Sequence, residues 1–277
     1  MLMKQISECT VLITGATDGL GKAAAEWFAG KGAEVLLHGR SEDKGRRTLE
    51  NIKESTGNEK LAYYNGNFSS LDSVSQVAEE ILTGEDRIDI LINNAGIGGG
   101  PKSGSARNTS EDGFEQIWAV NYLAQVLFTR KLEPLLEKGS RIVNVASIGQ
   151  AEIDFDDLNI EHRYDGFLAY SRSKLALIMF TFDLAGEVKN REITVNAIHP
   201  ATLMETNMVN EHFGRSQSSV EEGLEALAFL AASEDTEGIT GKFYDGRRRS
   251  KSLGQAYDHE ARRQLKARTE EILSDYI

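Results

Sequence analysis

The feature that most constrains this chain is a glycine-rich turn set between an apolar strand and a helix near its start. Cys9-Thr10-Val11-Leu12-Ile13 is apolar, rich in β-branched residues and without helical period, and reads as a short buried strand. Thr14-Gly15-Ala16-Thr17-Asp18-Gly19-Leu20-Gly21 follows directly, and a helix is predicted over 19–30, ended by Gly30 and Gly32. In that setting, backbone N–H groups at a helix N-terminus can hold a pyrophosphate. Glycine is needed wherever a Cβ would block the approach of the phosphates. The spacing departs from the usual Gly-x-Gly-x-x-Gly, and taken alone the turn fits an ordinary βα connection equally well.

The rest of the chain continues the alternation. Strands are predicted over 9–14, 33–38, 60–64, 88–92, 140–146, 191–198 and 239–244. Helices are predicted over 19–30, 42–56, 70–83, 111–137, 167–189 and 218–232. Such alternation predicts an α/β chain: a single Rossmann-type, doubly wound parallel sheet with helices on both faces. The 277 residues suit one domain over 1–277, with a core over 9–200, a substrate lid over 201–219, and a C-terminal tail and helix over 250–277. That last helix runs from Glu260 to Tyr276.

Chemistry enters with Tyr170 and Lys174. Positions four apart share a helix face, so the phenol and the ammonium lie one turn from each other. A free phenol, with a pKa of about 10, is a poor base at neutral pH, and a neighbouring cation lowers that value. Lys174, together with a bound cationic nicotinamide, is therefore expected to tune Tyr170 to protonate an alkoxide or deprotonate an alcohol. Ser147, at the end of the apolar run Ile142-Val143-Asn144-Val145-Ala146, is placed to hold a substrate oxygen.

With these residues the chain resembles the short-chain dehydrogenase/reductase family over nearly its whole length. The pattern is Thr14-Gly15-x-x-x-Gly19-x-Gly21, then Asn93-Asn94-Ala95-Gly96, Asn121, Ser147, and Tyr170-x-x-x-Lys174. The phrases Glu111-Asp112-Gly113-Phe114-Glu115, Ile153-Asp154-Phe155-Asp156-Asp157-Leu158-Asn159 and Val195-Asn196-Ala197-Ile198-His199-Pro200 are similar to its retinol-dehydrogenase-like branch. The resemblance implies hydride transfer between a nicotinamide and a small-molecule carbonyl or alcohol. Its catalytic set would be Asn121, Ser147, Tyr170 and Lys174, with Asn121 holding a water that links Lys174 to solvent. Cofactor contacts would come from Thr14, Gly15, Thr17, Gly19, Leu20, Gly21, Asn67, Phe68, Asn94, Ala95, Gly96, Tyr170, Lys174 and Pro200. The resemblance also implies a contact to the carboxamide from a threonine beyond Pro200; Thr202 lies two residues past it and Thr206 six, and the choice stays open.

The chain departs from the family in other places. Asn67 stands where an aspartate usually touches the adenine, and Pro200-Ala201 replaces the usual Pro-Gly. Ser147 and Tyr170 are 170 − 147 = 23 residues apart, longer than the family's commonest spacing, and the added acidic and aromatic stretch is expected to border the substrate mouth.

The second strand ends His38-Gly39-Arg40-Ser41 without the acidic residue that bonds ribose hydroxyls in NAD enzymes. Arg40, helped by Lys44, suits a 2′-phosphate, so NADP is expected, with NAD as the alternative. His38 is expected to pack on its strand. Two rival functions remain: an NAD-linked alcohol dehydrogenase, and a dinucleotide-sensing protein without chemistry.

Composition narrows the setting. A net charge of −12 argues against nucleic acid as a partner, and Arg247-Arg248-Arg249 reads as a solvated loop. One cysteine excludes an intrachain disulfide. The five histidines lack ligand spacing, so no metal is expected, and no Gly-x-Ser-x-Gly elbow supports a hydrolase. Met1-Leu2-Met3-Lys4-Gln5 runs almost into the first strand with no signal or membrane span, unlike the anchored vertebrate retinol dehydrogenases, and a cytoplasmic protein is expected. Gly98-Gly99-Gly100-Pro101-Lys102-Ser103-Gly104-Ser105 is expected to be a mobile loop near the site. The apolar stretches Leu123 to Leu136 and Leu175 to Leu184 would cover the sheet, and in the family such helices join copies as a homodimer or homotetramer.

Overall fold

The computed structural model describes residues 4–99, 106–212 and 214–277. Eight strands form one sheet in the order β3-β2-β1-β4-β5-β6-β7-β8. They are β1 (Thr10–Ile13), β2 (Glu34–Gly39), β3 (Leu61–Asn65), β4 (Ile88–Asn93), β5 (Leu136–Val145), β6 (Thr194–His199), β7 (Lys242–Asp245) and β8 (Arg248–Ser250). All neighbours pair in parallel except β8, which turns back antiparallel on β7. The order reverses between β1 and β4, where crossovers leave toward opposite edges of the sheet and open a crevice.

The helices are α1 (Gly19–Gly30), α2 (Glu42–Thr56), α3 (Leu71–Gly84), α4 (Gln116–Trp118), α5 (Ala124–Leu132), α6 (Gly166–Glu187), α7 (Asn207–His212), α8 (Val220–Ala232) and α9 (His259–Ile272). Strand side chains alternate between two cores. Leu12, Leu36, Leu91 and Ile142 face α3, α5, α6 and α9, whereas Val11, Ile13, Val35, Leu37, Ile90 and Val143 face α1, α2 and α8. Both sides of each central strand are therefore apolar, which is why these strands read as continuous hydrophobic runs.

Local signals set the boundaries. Ser41, Ser70 and Ser219 cap α2, α3 and α8 through side-chain oxygens, and Gly57 ends α2 in the left-handed conformation. The helix expected over 111–137 is shorter. It begins after the turn at Gly113 (φ 85°), where the Glu115 carboxylate caps Ile117 and Trp118. It passes through a π-helical segment at Ala119–Leu123 and ends before Pro134, so Leu136 already belongs to β5. The Arg247-Arg248-Arg249 run is exposed as expected, but two of its members form the edge strand β8 rather than a loop. The glycine-rich stretch lies outside the described residues from 100 to 105.

α9 lies along α6. Its Ala261, Leu265 and Leu273 neighbours join the larger core, Tyr122 bonds Thr269 at 2.8 Å, and Arg262 pairs with Asp183 at 2.8 Å. The apolar face around Tyr122 and α6 is thus covered in part from within the chain. Among the described residues no helix is long and apolar enough to cross a membrane, and no cluster of metal-ligating side chains occurs.

Candidate active site

The crevice at the β1/β4 switch point is built by glycine. Gly15 has φ 66°, a conformation that side-chain-bearing residues rarely adopt, and a Cβ there would stand 2.9 Å from Ala95 Cα. At Gly21 a Cβ would stand 2.2 Å from the Gly15 carbonyl oxygen and 2.5 Å from Asn94 Nδ2. The first turn of α1 therefore closes onto the loop before it, with Gly19 N–H held by Asp18 Oδ1 at 2.8 Å and Lys22 N–H by the Asp18 carbonyl at 3.2 Å, at the positive end of the helix dipole.

Thr14 and Asn94 brace this arrangement. Thr14 Oγ1 accepts from the backbone N–H groups of Asn94 and Ala95, both at 2.9 Å. Asn94 Nδ2 donates to the carbonyls of Thr14 (2.9 Å) and Gly15 (3.2 Å). Gln125 donates to the Ala95 carbonyl from the helix behind. These polar groups lock the loop after β4 to the loop after β1. Sequence reasoning had marked Thr14 and Asn94 as cofactor contacts, and the structure shows both side chains committed to the loops themselves.

At the adenosine end, Arg40 is exposed immediately beyond β2, and Thr17 lies against Gly39. Asn67 is anchored within the protein: its Nδ2 donates to Glu111 at 2.9 Å and its Oδ1 accepts from Ser69 N–H at 3.0 Å. Phe68 is buried and stacks on His38 with ring centroids 4.3 Å apart. His38, buried as expected, lies 3.1 Å from the Gly66 carbonyl; that oxygen can only accept, so Nε2 carries the proton and the ring is neutral. Burial pushes the His38 pKa down to about 4.

At the other end, Ser147 follows β5 and Tyr170 and Lys174 project from α6, and the fold brings all three together. Ser147 lies beside the Tyr170 hydroxyl, and Ser147 Oγ accepts from Gly149 N–H at 3.0 Å. Lys174 is buried and donates to the Val145 carbonyl at 2.8 Å, its ammonium 5.6 Å from the Tyr170 ring centroid. Burial pushes Lys174 down to about 8.

In the chain by itself, burial pushes the Tyr170 pKa up, opposed by Ser147 beside it; the fall expected from Lys174 calls on the charge of a bound nicotinamide as well. The reason is geometric: the ammonium lies over the ring and is turned onto a strand carbonyl, so desolvation dominates at the phenol.

Asn121 sits in the π-helical segment, fully buried. It accepts from Ile97 N–H (2.8 Å) and donates to the Ile97 carbonyl (3.0 Å) and to Ser173 Oγ (3.2 Å). Both of its amide protons are used by the protein. Asn121 and Lys174 converge on Gly96, where a Cβ would stand 3.1 Å from the former's Oδ1 and 3.6 Å from the latter's Nζ.

The segment beyond Pro200 folds back over the glycine turn. Thr206 approaches Gly19, where a Cβ would stand 3.0 Å from its Cγ2, and Asn207 donates to Asp18 at 2.7 Å. Met208 and His212 of α7 reach Gly98 on the opposite lip. Thr202, in contrast, is exposed and lies 3.1 Å from His199 Nε2. Of the two threonines, Thr206 stands at the crevice.

Sequence reasoning missed two buried polar groups that support the site. Asn93 donates to Thr129 and to Asn144, and Asn144 donates to Thr181, each at 2.8 Å, a chain that runs from α5 through β4 and β5 to α6. Glu115, fully buried, accepts from Tyr164 at 3.0 Å. Asn or Glu inside an otherwise apolar stretch is the signal that could have drawn attention to them.

The narrow cradle at Gly15 and Gly21, the helix N-terminus behind it and the exposed cation beyond β2 fit a nicotinamide dinucleotide. That fold and that site define a Rossmann-type oxidoreductase. A family model described as short chain dehydrogenase matches residues 9–217. Retinol dehydrogenase 13 of Mus musculus is 34% identical over 275 residues, covering 92% of this chain and 81% of that protein. A Shigella flexneri protein described as a short chain dehydrogenase, solved in complex with NADP, superposes with a TM-score of 0.69 at 26% identity, over 88% of this chain and 100% of that one. The 3-ketoacyl-(acyl-carrier-protein) reductase of Brucella melitensis, complexed with NADH, gives 0.68 at 28% identity, over 87% and 97%. The chain belongs to the short-chain dehydrogenase/reductase family, in its retinol-dehydrogenase-like branch.

Proposed function

We propose that this protein is an NADP-dependent oxidoreductase that reduces a carbonyl, or oxidises the matching alcohol, with Tyr170 as acid/base. The observation that carries the reading is the convergence of Ser147, Tyr170 and Lys174 beside a glycine cradle at the switch point. A bound nicotinamide supplies or accepts the hydride. Ser147 orients the substrate oxygen, and Tyr170 donates its proton to it. Because burial raises the Tyr170 pKa, the proton is in place at neutral pH, as carbonyl reduction requires. Lys174 provides a buried cation beside the ring and helps hold the cofactor ribose. Asn121 fixes Ile97 and the start of the site through its amide, and holds a water that links Lys174 to solvent.

Arg40 supports NADP over NAD: it is an exposed residue just past β2, a strand that ends His38-Gly39 without an acidic side chain. The exposed side chains Ile148 (49%) and Phe167 (46%) flank Ser147, which favours a substrate with an apolar flank, in keeping with relatives named as retinol dehydrogenases. Residues 201–219 act as the lid over substrate and cofactor. The protein takes a small molecule, and its proposed compartment is the cytoplasm.

The test is NADPH oxidation with a panel of aldehydes and ketones, retinal and small polar ketones included. Tyr170→Phe is expected to bind NADPH and lose turnover; full turnover in that variant would remove Tyr170 from its role. Arg40→Ala is expected to weaken NADPH and spare NADH, and an unchanged preference would overturn the cofactor assignment.

A further inference from the structure

Glu115 is a fully buried carboxylate that hydride transfer does not use. It ties together two pieces of backbone. Its oxygens accept from Ile117 N–H (3.1 Å) and Trp118 N–H (2.7 Å), and so start the helical run that carries Asn121. They also accept from the Tyr164 hydroxyl at 3.0 Å. Tyr164 belongs to the long segment between Ser147 and Tyr170. That segment is pinned again at Asn159, whose Oδ1 accepts from Glu115 N–H at 2.6 Å and whose carbonyl accepts from Arg107 Nε at 3.0 Å.

Between these two pins lies Ile160. It has φ 47°, although a β-branched residue is disfavoured there by about 1–3 kcal/mol. It is also 1% exposed, and packs with Ile117 and Ala169 in a small cluster that Tyr164 and Tyr170 complete. Such a conformation persists only where the surroundings impose it. The turn is closed locally by Asp157, which accepts from the N–H groups of Ile160, Glu161 and His162, and it is flanked by the contacts at Asn159 and Tyr164, both of which lead to Glu115.

We infer that Glu115 is a positioning residue for the reaction: through Asn159 and Tyr164 it holds Ile160 in the cluster against which Tyr170 packs, and thereby sets where the phenol stands relative to Ser147. The inference rests on Tyr170 being the acid/base. It gives the extended Ser147–Tyr170 segment a role in placing the reactive hydroxyl as well as in bordering the mouth.

The test uses the full chain with NADPH and whichever carbonyl it turns over best. Tyr164→Phe keeps the ring against the Ile117–Ile160–Ala169 cluster and removes only the bond to Glu115. It should lower kcat by about tenfold or more, as expected for a displaced catalytic group, with little change in the Kd for NADPH. Ile160→Gly tolerates the left-handed backbone but removes the packing, and should lower kcat similarly. The double variant should lose less than the product of the two effects, because both act on one contact. Tyr164→Phe and Ile160→Gly proteins with wild-type kcat and KM would overturn the inference, as would losses that simply multiply. Tyr170→Phe run in parallel separates the two readings: if it stays active, the catalytic assignment fails; if it is dead while Tyr164→Phe and Ile160→Gly are normal, only the role of Glu115 fails.

Discussion

Substituting alanine for glycine at the two ends of α1 should give opposite results. At Gly21 the added Cβ would lie 2.2 Å from a backbone oxygen of Gly15 and 2.5 Å from Asn94 Nδ2. Neither is the free end of a flexible side chain, so the glycine turn itself has to move. Overpacking of this kind costs about 1–3 kcal/mol. Displacing Asn94 also strains its bonds to Thr14 and Gly15, each worth about 1 kcal/mol. The sum is about 3–5 kcal/mol, or roughly 6–20 °C in Tm for a chain of this size. At Gly30, the last residue of the same helix, a Cβ meets only Thr56 Cγ2 at 3.8 Å, an ordinary contact. There alanine should stabilise by about 0.5–1 kcal/mol through its lower unfolded-state entropy. Thermal melts of the two variants, with and without NADPH, make the comparison. Gly21→Ala should melt early and lose the stabilisation that NADPH confers on the parent, whereas Gly30→Ala should keep it. A Gly21→Ala protein with parental Tm and parental NADPH affinity would show that the turn is not packed as described.

Three further outcomes follow from the same geometry. Lys174→Met should lower kcat by roughly 10²–10⁴-fold, and the unpaired Val145 carbonyl should cost about 1–3 kcal/mol of stability; turnover near parental would exclude the buried cation from the chemistry. His38 is held neutral with a pKa of about 4 against an ordinary 6.5. Between those values the unfolded chain takes up a proton that the folded chain refuses, so stability should be complete above pH 6.5 and fall by about 3 kcal/mol on acidification to pH 4. Urea melts of the parent and His38→Gln across that window should show a shallower decline in the variant, and equal slopes would refute the assignment. Ending the chain at Asp258 removes α9 and uncovers the apolar surface beneath Ala261, Leu265 and Leu273. Sedimentation should then show association or precipitation, and a truncated chain with unaltered mass and Tm would contradict the packing.

Much was legible in the sequence because it is local. Strand identity followed from apolar runs, since both faces of each central strand are buried. The glycine turn was legible because close backbone approach leaves glycine as the residue that fits. Ser147, Tyr170 and Lys174 were legible through helical spacing and the order of motifs. Contacts between distant segments were not. Nothing near Asn67 announced that Glu111 and Ser69 would occupy its amide, or near Asn121 that Ile97 would. The π-helical turn and the stop before Pro134 shortened a helix whose apolar pattern continued past them.

The sequence by itself determined the layered α/β order and the identity of the reactive side chains, because periodicity and glycine placement act over a few neighbouring residues. Tertiary structure alone decided the surroundings of the reactive groups. A pKa depends on what surrounds a group in space, and burial acts on Tyr170 and Lys174 in a way their spacing in the sequence does not reveal. It also decided which carboxylate underlies the catalytic loop, since Glu115 meets Tyr164 and Asn159 only after the chain has folded across itself.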